Sequence, residues 1–141
     1  MLYQLGALTL DVTPFNTHEV ERETGFDFAA KDVVGGMKPR EPMGEADETV
    51  TLECRLFPHR FGGLSGLSVL DGMRASGQPQ ILVRGDGLNR GWFLIEKVKE
   101  TNAFLTREGV GRQIDVSISL IRSPVGASAG SILSTLMSLF R

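Results

Sequence analysis

The clearest pattern in the chain is the two-residue alternation of "ETVTLECRLF", which sets Val50, Leu52, Cys54 and Leu56 on one side and Thr49, Thr51, Glu53 and Arg55 on the other. Successive side chains of a strand point to opposite faces, so this stretch predicts a strand with one buried face. On that reading Cys54 is a small core hydrophobe rather than a nucleophile. The alternation recurs in "RQIDVSISLIR", where Ile114, Val116, Ile118 and Leu120 oppose Asp115, Ser117 and Ser119. "HEVERETGFDF" predicts another strand, with Val20, Arg22, Thr24, Phe26 and Phe28 on one parity and Glu19, Glu21, Glu23 and Asp27 on the other. Four carboxylates would then share an exposed face. "MLYQLGALTLDV" is apolar on both parities, as a strand covered on two sides would be, and Pro14 ends it. "PQILVRG" and "GWFLIEKVKE" add two strands, joined by the glycine-rich turn "GDGLNRG". The longer "TNAFLTREGVG" gives the next hairpin an extended tip.

Two segments carry helical patterns. In "GGLSGLSVLDGMRASGQP", Leu67, Leu70 and Met73 fall on one face, Ser65 or Ser68 can cap the start, and Gly77 with Pro79 stops the end. Gly72 in its middle costs about 1 kcal/mol relative to alanine, so this helix depends on packing. "SPVGASAGSILSTLMSLFR" reads as a small-residue linker and a short amphipathic helix, with Ile132, Leu133, Leu136, Met137 and Phe140 along one side. A helix of ~11 residues is marginal alone in water, so it must dock. Its own sheet and a neighbouring subunit are both open as the dock, and the linker favours the neighbour.

One run has neither period. Between Val33 and Glu48 the chain is crowded with glycine, proline and charge, directly before one of its best strands. Gly35, Gly36, Met37, Lys38, Pro39, Arg40, Glu41, Pro42, Met43 and Gly44 make an extended, helix-averse backbone that could reach another subunit. A catalytic or cation-binding loop is the competing reading.

Composition narrows these choices. At 141 residues the chain suits one domain with appendages, and its net charge of −2 gives no electrostatic case for nucleic acid as the main partner. The charge is unevenly spread: 1–56 holds 11 acidic and 5 basic residues (−6), whereas 57–141 holds 6 and 10 (+4). If the two halves separate in space, copies can associate head to tail; if they mix, the asymmetry cancels. A single cysteine excludes an intrachain disulfide and suits a reducing compartment. The start lacks the basic leader and cleavage site of a signal peptide, and the C-terminal apolar run falls short of the ~20 residues of a membrane span. A soluble protein made in the cytoplasm is expected.

Candidate chemistry is thin. His18, His59 and Cys54 form no zinc-ligand pattern, and "GEADE" (Glu45, Asp47, Glu48) lacks the spacing of a calcium loop. That acidic run therefore reads as a solvated charge cluster. No nucleophile elbow occurs, and "GDGLNRG" is followed by a strand instead of the helix a phosphate loop needs. No catalytic residue, metal or cofactor is expected.

The order of landmarks is more specific than any one of them. Leu5-Gly6, Pro14-Phe15, Val34-Gly35, Met43-Gly44 before "DETVTL", Pro58, Gly62-Gly63, Gly77, "GDGLNRGWFLIEKVKET" and "GVGRQIDVSISLIR" occur in one series from Met1 to Arg122. In this series the sequence resembles the phage tail protein gpU family of contractile-tailed phages. Residues 123–141 depart from the shorter ending of that family.

The resemblance implies an α+β, mainly β fold, a tail-tube-like β-barrel or sandwich (1–122) with one flanking helix and a long extended loop arm; the linker and short C-terminal helix (123–141) come from the residue pattern alone. It implies a non-enzymatic virion protein, assembled in the host cytoplasm into a hexameric ring continuous with the tail tube at the baseplate hub. The implied partners are the tail tube protein, the hub, a tape measure protein and a LysM-type tail protein, without specific nucleic-acid binding or a membrane. Two other readings stay open, a head-proximal terminator or completion ring and a small-ligand-binding or enzymatic β-barrel. Residues 35–44 are the candidate inter-subunit arm and the 132–140 face the candidate docking helix. Glu19, Glu21, Glu23 and Asp27 are the candidate lumen face.

Overall fold

The computed structural model describes residues 2–11 and 15–124. The predicted docking helix, with Ile132, Leu133, Leu136, Met137 and Phe140, lies outside the described residues.

The fold is mainly β, curled into a half-barrel. In chain order the elements are β1 (Tyr3–Leu5), β2 (Leu8–Leu10), β3 (Asn16–Glu23), β4 (Phe26–Ala30), β5 (Arg40–Glu45), β6 (Thr49–Leu56), α1 (Pro58–Phe61), α2 (Leu64–Ser76), β7 (Gln80–Arg84), β8 (Asn89–Leu105) and β9 (Gly111–Arg122). Seven strands form one sheet in the order β2-β1-β7-β8-β9-β6-β3, with antiparallel neighbours, while β4 and β5 pair with each other. An isolated parallel bridge between Asp11 and Asn16 ties the chain after β2 to the start of β3, the strand on the opposite edge.

The centre of the sheet follows the alternation in the sequence. Across β6, β9 and β8 the register aligns Val50, Leu120 and Ile95 in one row and Leu52, Ile118 and Val98 in the next. Leu52, Leu56, Val116, Ile118 and Leu120 are fully buried. Each such side chain contributes roughly 1.5–3 kcal/mol relative to staying in water, so this face is the main source of stability. Strict alternation along β8 would turn Lys97 inward. A bulge between Ile95 and Lys97 resets the parity, so Val98 joins the core and Lys97 stays with the polar face beside Ser119.

Helix α2 covers the apolar face through Leu70 and Met73, with Leu67 packed against the cluster. The N-cap is Gly63, not the predicted Ser65 or Ser68, and no side chain caps the helix. Gly77 ends it in the left-handed conformation expected of a C-terminal glycine, at φ +67°. Phe15 lies under the helix so closely that a Cβ on Gly66 would collide with its ring, which is why a glycine stands on that turn.

Three stretches fold differently from their sequence pattern. Within "MLYQLGALTLDV", Tyr3–Leu5 and Leu8–Leu10 form a tight hairpin, β1 against β2, turning at Gly6 with φ +55°. The turn changes the facing parity, which explains apolar residues on both. "HEVERETGFDF" breaks after Glu23 into β3 and β4, which belong to different sheets. Finally, part of the irregular run is regular: Arg40–Glu45 is a strand paired with Phe26–Ala30.

Candidate assembly surfaces

Register shows how the arm is built. Glu23 stands opposite Thr49 at the end of the β3–β6 pair, and Phe26 stands opposite Glu45 at the start of the β4–β5 pair. The Ala46 amide donates to the Gly25 carbonyl between the two pairs, at 3.1 Å. Residues 16–56 are therefore one long ribbon with a break near Thr24 and Ala46. Its proximal half lies in the main sheet and its distal half runs past the end of β9, where no third strand accompanies it.

Of the candidate arm residues, Arg40, Glu41, Pro42, Met43 and Gly44 belong to β5, whereas Gly35, Gly36, Met37, Lys38 and Pro39 lie in the connecting loop. All but the half-buried Gly44 are exposed. The loop is braced by ion pairs of Lys31 with Glu41 and Lys38 with Asp32. Phe26 and Phe28 sit on the facing strand with ring centroids 5.2 Å apart and about half their surfaces exposed. The alternation in the sequence puts these rings on the same parity as Val20; the strand break takes them out of the main sheet.

The ribbon is locked where it leaves the sheet. Glu48 continues the apolar column of Val50 and Leu52 by parity, and its side chain is only 8% exposed. It had been read as part of a solvated charge cluster, and that reading is wrong. Arg122 on β9 donates to one carboxylate oxygen at 2.8 Å and Arg22 on β3 donates to the other. Burial disfavours the charge on Glu48, but the hydrogen bonds from Arg122 and Arg22 outweigh it and hold the carboxyl below its ordinary pKa. Spacing alone could not expose this, because the partners lie 26 and 74 residues away. A crease of about 450 Å³ separates the arm from the body here, lined in part by Arg22, Thr24, Phe26 and Glu45.

The face opposite the core is polar. Glu19, Glu21 and Glu23 stand opposite Glu53, Thr51 and Thr49, so these three candidate lumen residues share a face along the β3 edge. Asp27 is on β4 and does not extend their row; the break at Thr24 and Gly25 removes it. Lys97 and Lys99 join the same face from β8 through Ser119 and Ser117, and Arg55 pairs with Asp115 at 2.9 Å. The face is thus mixed in charge, acidic toward β3 and basic toward β8.

At the far end of the same strands a second ribbon projects. β8 and β9 continue beyond the row of Leu56, Ile114 and Asn102, as far as Leu105 and Gly111. Phe104 is the only non-glycine residue at positive φ among the described residues, at +56°, and it is 73% exposed. Leu105 beside it is 63% exposed.

Cys54 is buried and shares a 3.3 Å hydrogen bond with Thr17; burial, with the nearby Glu53, pushes its thiol up to about 11 although that bond pulls it down. Such a thiol is a poor nucleophile. In "GDGLNRG", Asp86 accepts from Arg84 and from the Leu88 amide, and Gly87 adopts φ +93°, so the glycines and the carboxylate serve the turn. Among the described residues no group of three or more His, Cys, Asp or Glu could hold a metal, and no helix is long and apolar enough to cross a membrane.

A family model described as Phage P2 GpU matches residues 6–124. No curated protein matches the chain. Among solved structures, the Dit (gp 19.1) protein of SPP1, described as a paradigm of the hub adsorption apparatus in Gram-positive infecting phages, is similar with a TM-score of 0.58 at 10% identity. The likeness covers 88% of this chain and 51% of that one, so the chain spans about half the length of the Dit protein. At this identity the likeness is one of fold.

Proposed function

The chain belongs to the phage P2 GpU family, a family of phage tail proteins, and from that premise we propose that it is a non-catalytic structural component of a contractile tail. It forms a hexameric ring continuous with the tail tube at the baseplate hub, where it helps to initiate or lock tube assembly. The family match over 6–124 carries this reading. The half-barrel it shares with a protein of a phage hub favours the hub end over a head-proximal terminator position. A ring also suits the two projecting ribbons and the edge strand β3, which beyond the bridge at Asn16 has no neighbouring strand on its outer side among the described residues. Affinity would be distributed over large apolar and main-chain contacts with the tail tube protein, the hub, the tape measure protein and a LysM-type tail protein.

Gold labelling of an epitope-tagged chain in purified particles tests the proposal. Label at the baseplate end is the expected result. Label at the neck would transfer the chain to a terminator ring, and particles free of the protein would overturn a structural role altogether.

A further inference from the structure

The two ribbons leave the body at opposite ends. β9 runs from Gly111, where the β8–β9 tip projects, to Arg122, where the β4–β5 arm begins, so its 12 residues separate them by roughly 40 Å. Each ribbon carries an exposed apolar pair, Phe26 with Phe28 on the arm and Phe104 with Leu105 on the tip. Phe104 is unusual on two counts. A bulky side chain in the left-handed region is strained, and here most of it stays exposed. The facing strand passes close by, since a Cβ on Gly111 would lie 3.0 Å from the Ala103 backbone.

The charges differ in sign between the ends. The arm, 24–47, has five carboxylates against three cations (−2), and two of those carboxylates are already paired with Lys31 and Lys38. Asp27 and Glu45 are left flanking the phenylalanines: Glu45 is opposite Phe26 and Asp27 lies between the rings in sequence. The tip, 103–112, together with the neighbouring α1, has Arg60, Arg107 and Arg112 against Glu108 (+2). Part of the charge asymmetry of the sequence is thus carried by these two poles, while the main sheet mixes both halves.

We propose that the arm of one copy docks on the β8–β9 tip of a second copy, Phe26 and Phe28 packing on Phe104 and Leu105 while Asp27 and Glu45 face Arg107 and Arg112. The contact is heterologous: each copy uses its arm on one neighbour and its tip on another, so it closes into a ring when the rotation per copy allows. This rests on the self-assembly part of the proposed function and names the joint through which it occurs. Complementary charge fixes the orientation and speeds encounter, and the apolar pairs supply the buried area.

Two charge-reversed full-length variants test it, one with Asp27→Lys and Glu45→Lys, the other with Arg107→Glu and Arg112→Glu. All four residues lack ion pairs within the described chain, and circular dichroism confirms that each variant is folded. In sedimentation velocity the wild type should associate in a concentration- and salt-dependent way. Each variant alone should associate roughly 100-fold more weakly, because like charges then meet. Mixing the two should restore large species, since each opposed pair of poles is again complementary. A wild type that stays monomeric at high concentration would overturn the proposal, as would variants that associate like wild type or a mixture that does not recover. Variants that self-associate normally but fail to enter tails would assign the arm to a different tail protein and also refute it. None of these outcomes bears on where labelled protein sits in the particle, so this joint can fail while the tail assignment stands.

Discussion

Strands β5 and β6 lie on the same ribbon, a few residues apart, yet they use their side chains in opposite ways. β6 buries Val50, Leu52, Cys54 and Leu56 in the core, whereas β5 buries nothing. The first is specified by the interior of its own chain. The second makes backbone hydrogen bonds to one partner strand and leaves both faces to solvent, an arrangement that is at best marginal for an isolated hairpin. At its root Glu48 is held by Arg22 and Arg122, and along its length it is braced by its own ion pairs. The comparison teaches that β6 is specified by the core it helps to form, whereas no core contact accounts for the side chains of β5.

The body should give the largest stability change. Leu52→Ala removes a fully buried side chain from the middle row of the sheet and should destabilise the protein by about 2–5 kcal/mol in urea denaturation. A loss below 1 kcal/mol would mean that this face is not the core.

A smaller effect is expected at the root. Glu48→Ala leaves Arg22 and Arg122 without their shared acceptor and should cost about 1–3 kcal/mol. Because the carboxyl is held below its ordinary pKa, its contribution is fully present at neutral pH, above the unfolded-state pKa, and is lost as pH falls through the lower folded-state value. Wild type should thus lose stability on acidification through that window, and Glu48→Gln should flatten this part of the profile. Equal acid sensitivity in both proteins would assign the loss to other carboxylates.

What could be read from sequence followed the same division. β6 and β9 were legible because one face is buried and the period shows it, and α2 was legible from Leu67, Leu70, Met73 and its terminal glycine. The β1–β2 hairpin was missed because two short strands with opposite parity look like one strand covered on both faces. β4 was joined to β3 because Phe26 and Phe28 continue the parity of Val20; nothing local says that the sheet ends at Glu23. The extended, helix-averse backbone of 35–44 is legible from its glycines and prolines, but the pairing of β5 with β4 is not, since an exposed strand has no hydrophobic period to display. Glu48 was hardest: the same acidic run holds exposed Glu45 and Asp47, and only the long-range pairing of β3, β6 and β9 separates its role from theirs.

The smallest stability change should come from the arm itself. Replacing both Phe26 and Phe28 by serine removes two half-exposed rings that pack mainly on each other, so the denaturation midpoint should move by no more than about 0.5 kcal/mol in equivalent stability. Cys54 supplies an independent probe of the body, since its buried thiol, pushed up to about 11, should resist alkylation at neutral pH until the sheet opens. The double variant should protect Cys54 as well as wild type does, while its incorporation into tails falls sharply. A large loss of stability, or early alkylation of Cys54, would show that the rings support the body and would erase the distinction between β5 and β6. Unchanged stability with unchanged incorporation would leave the rings without an external contact, in which case the arm must act through its backbone or its charges.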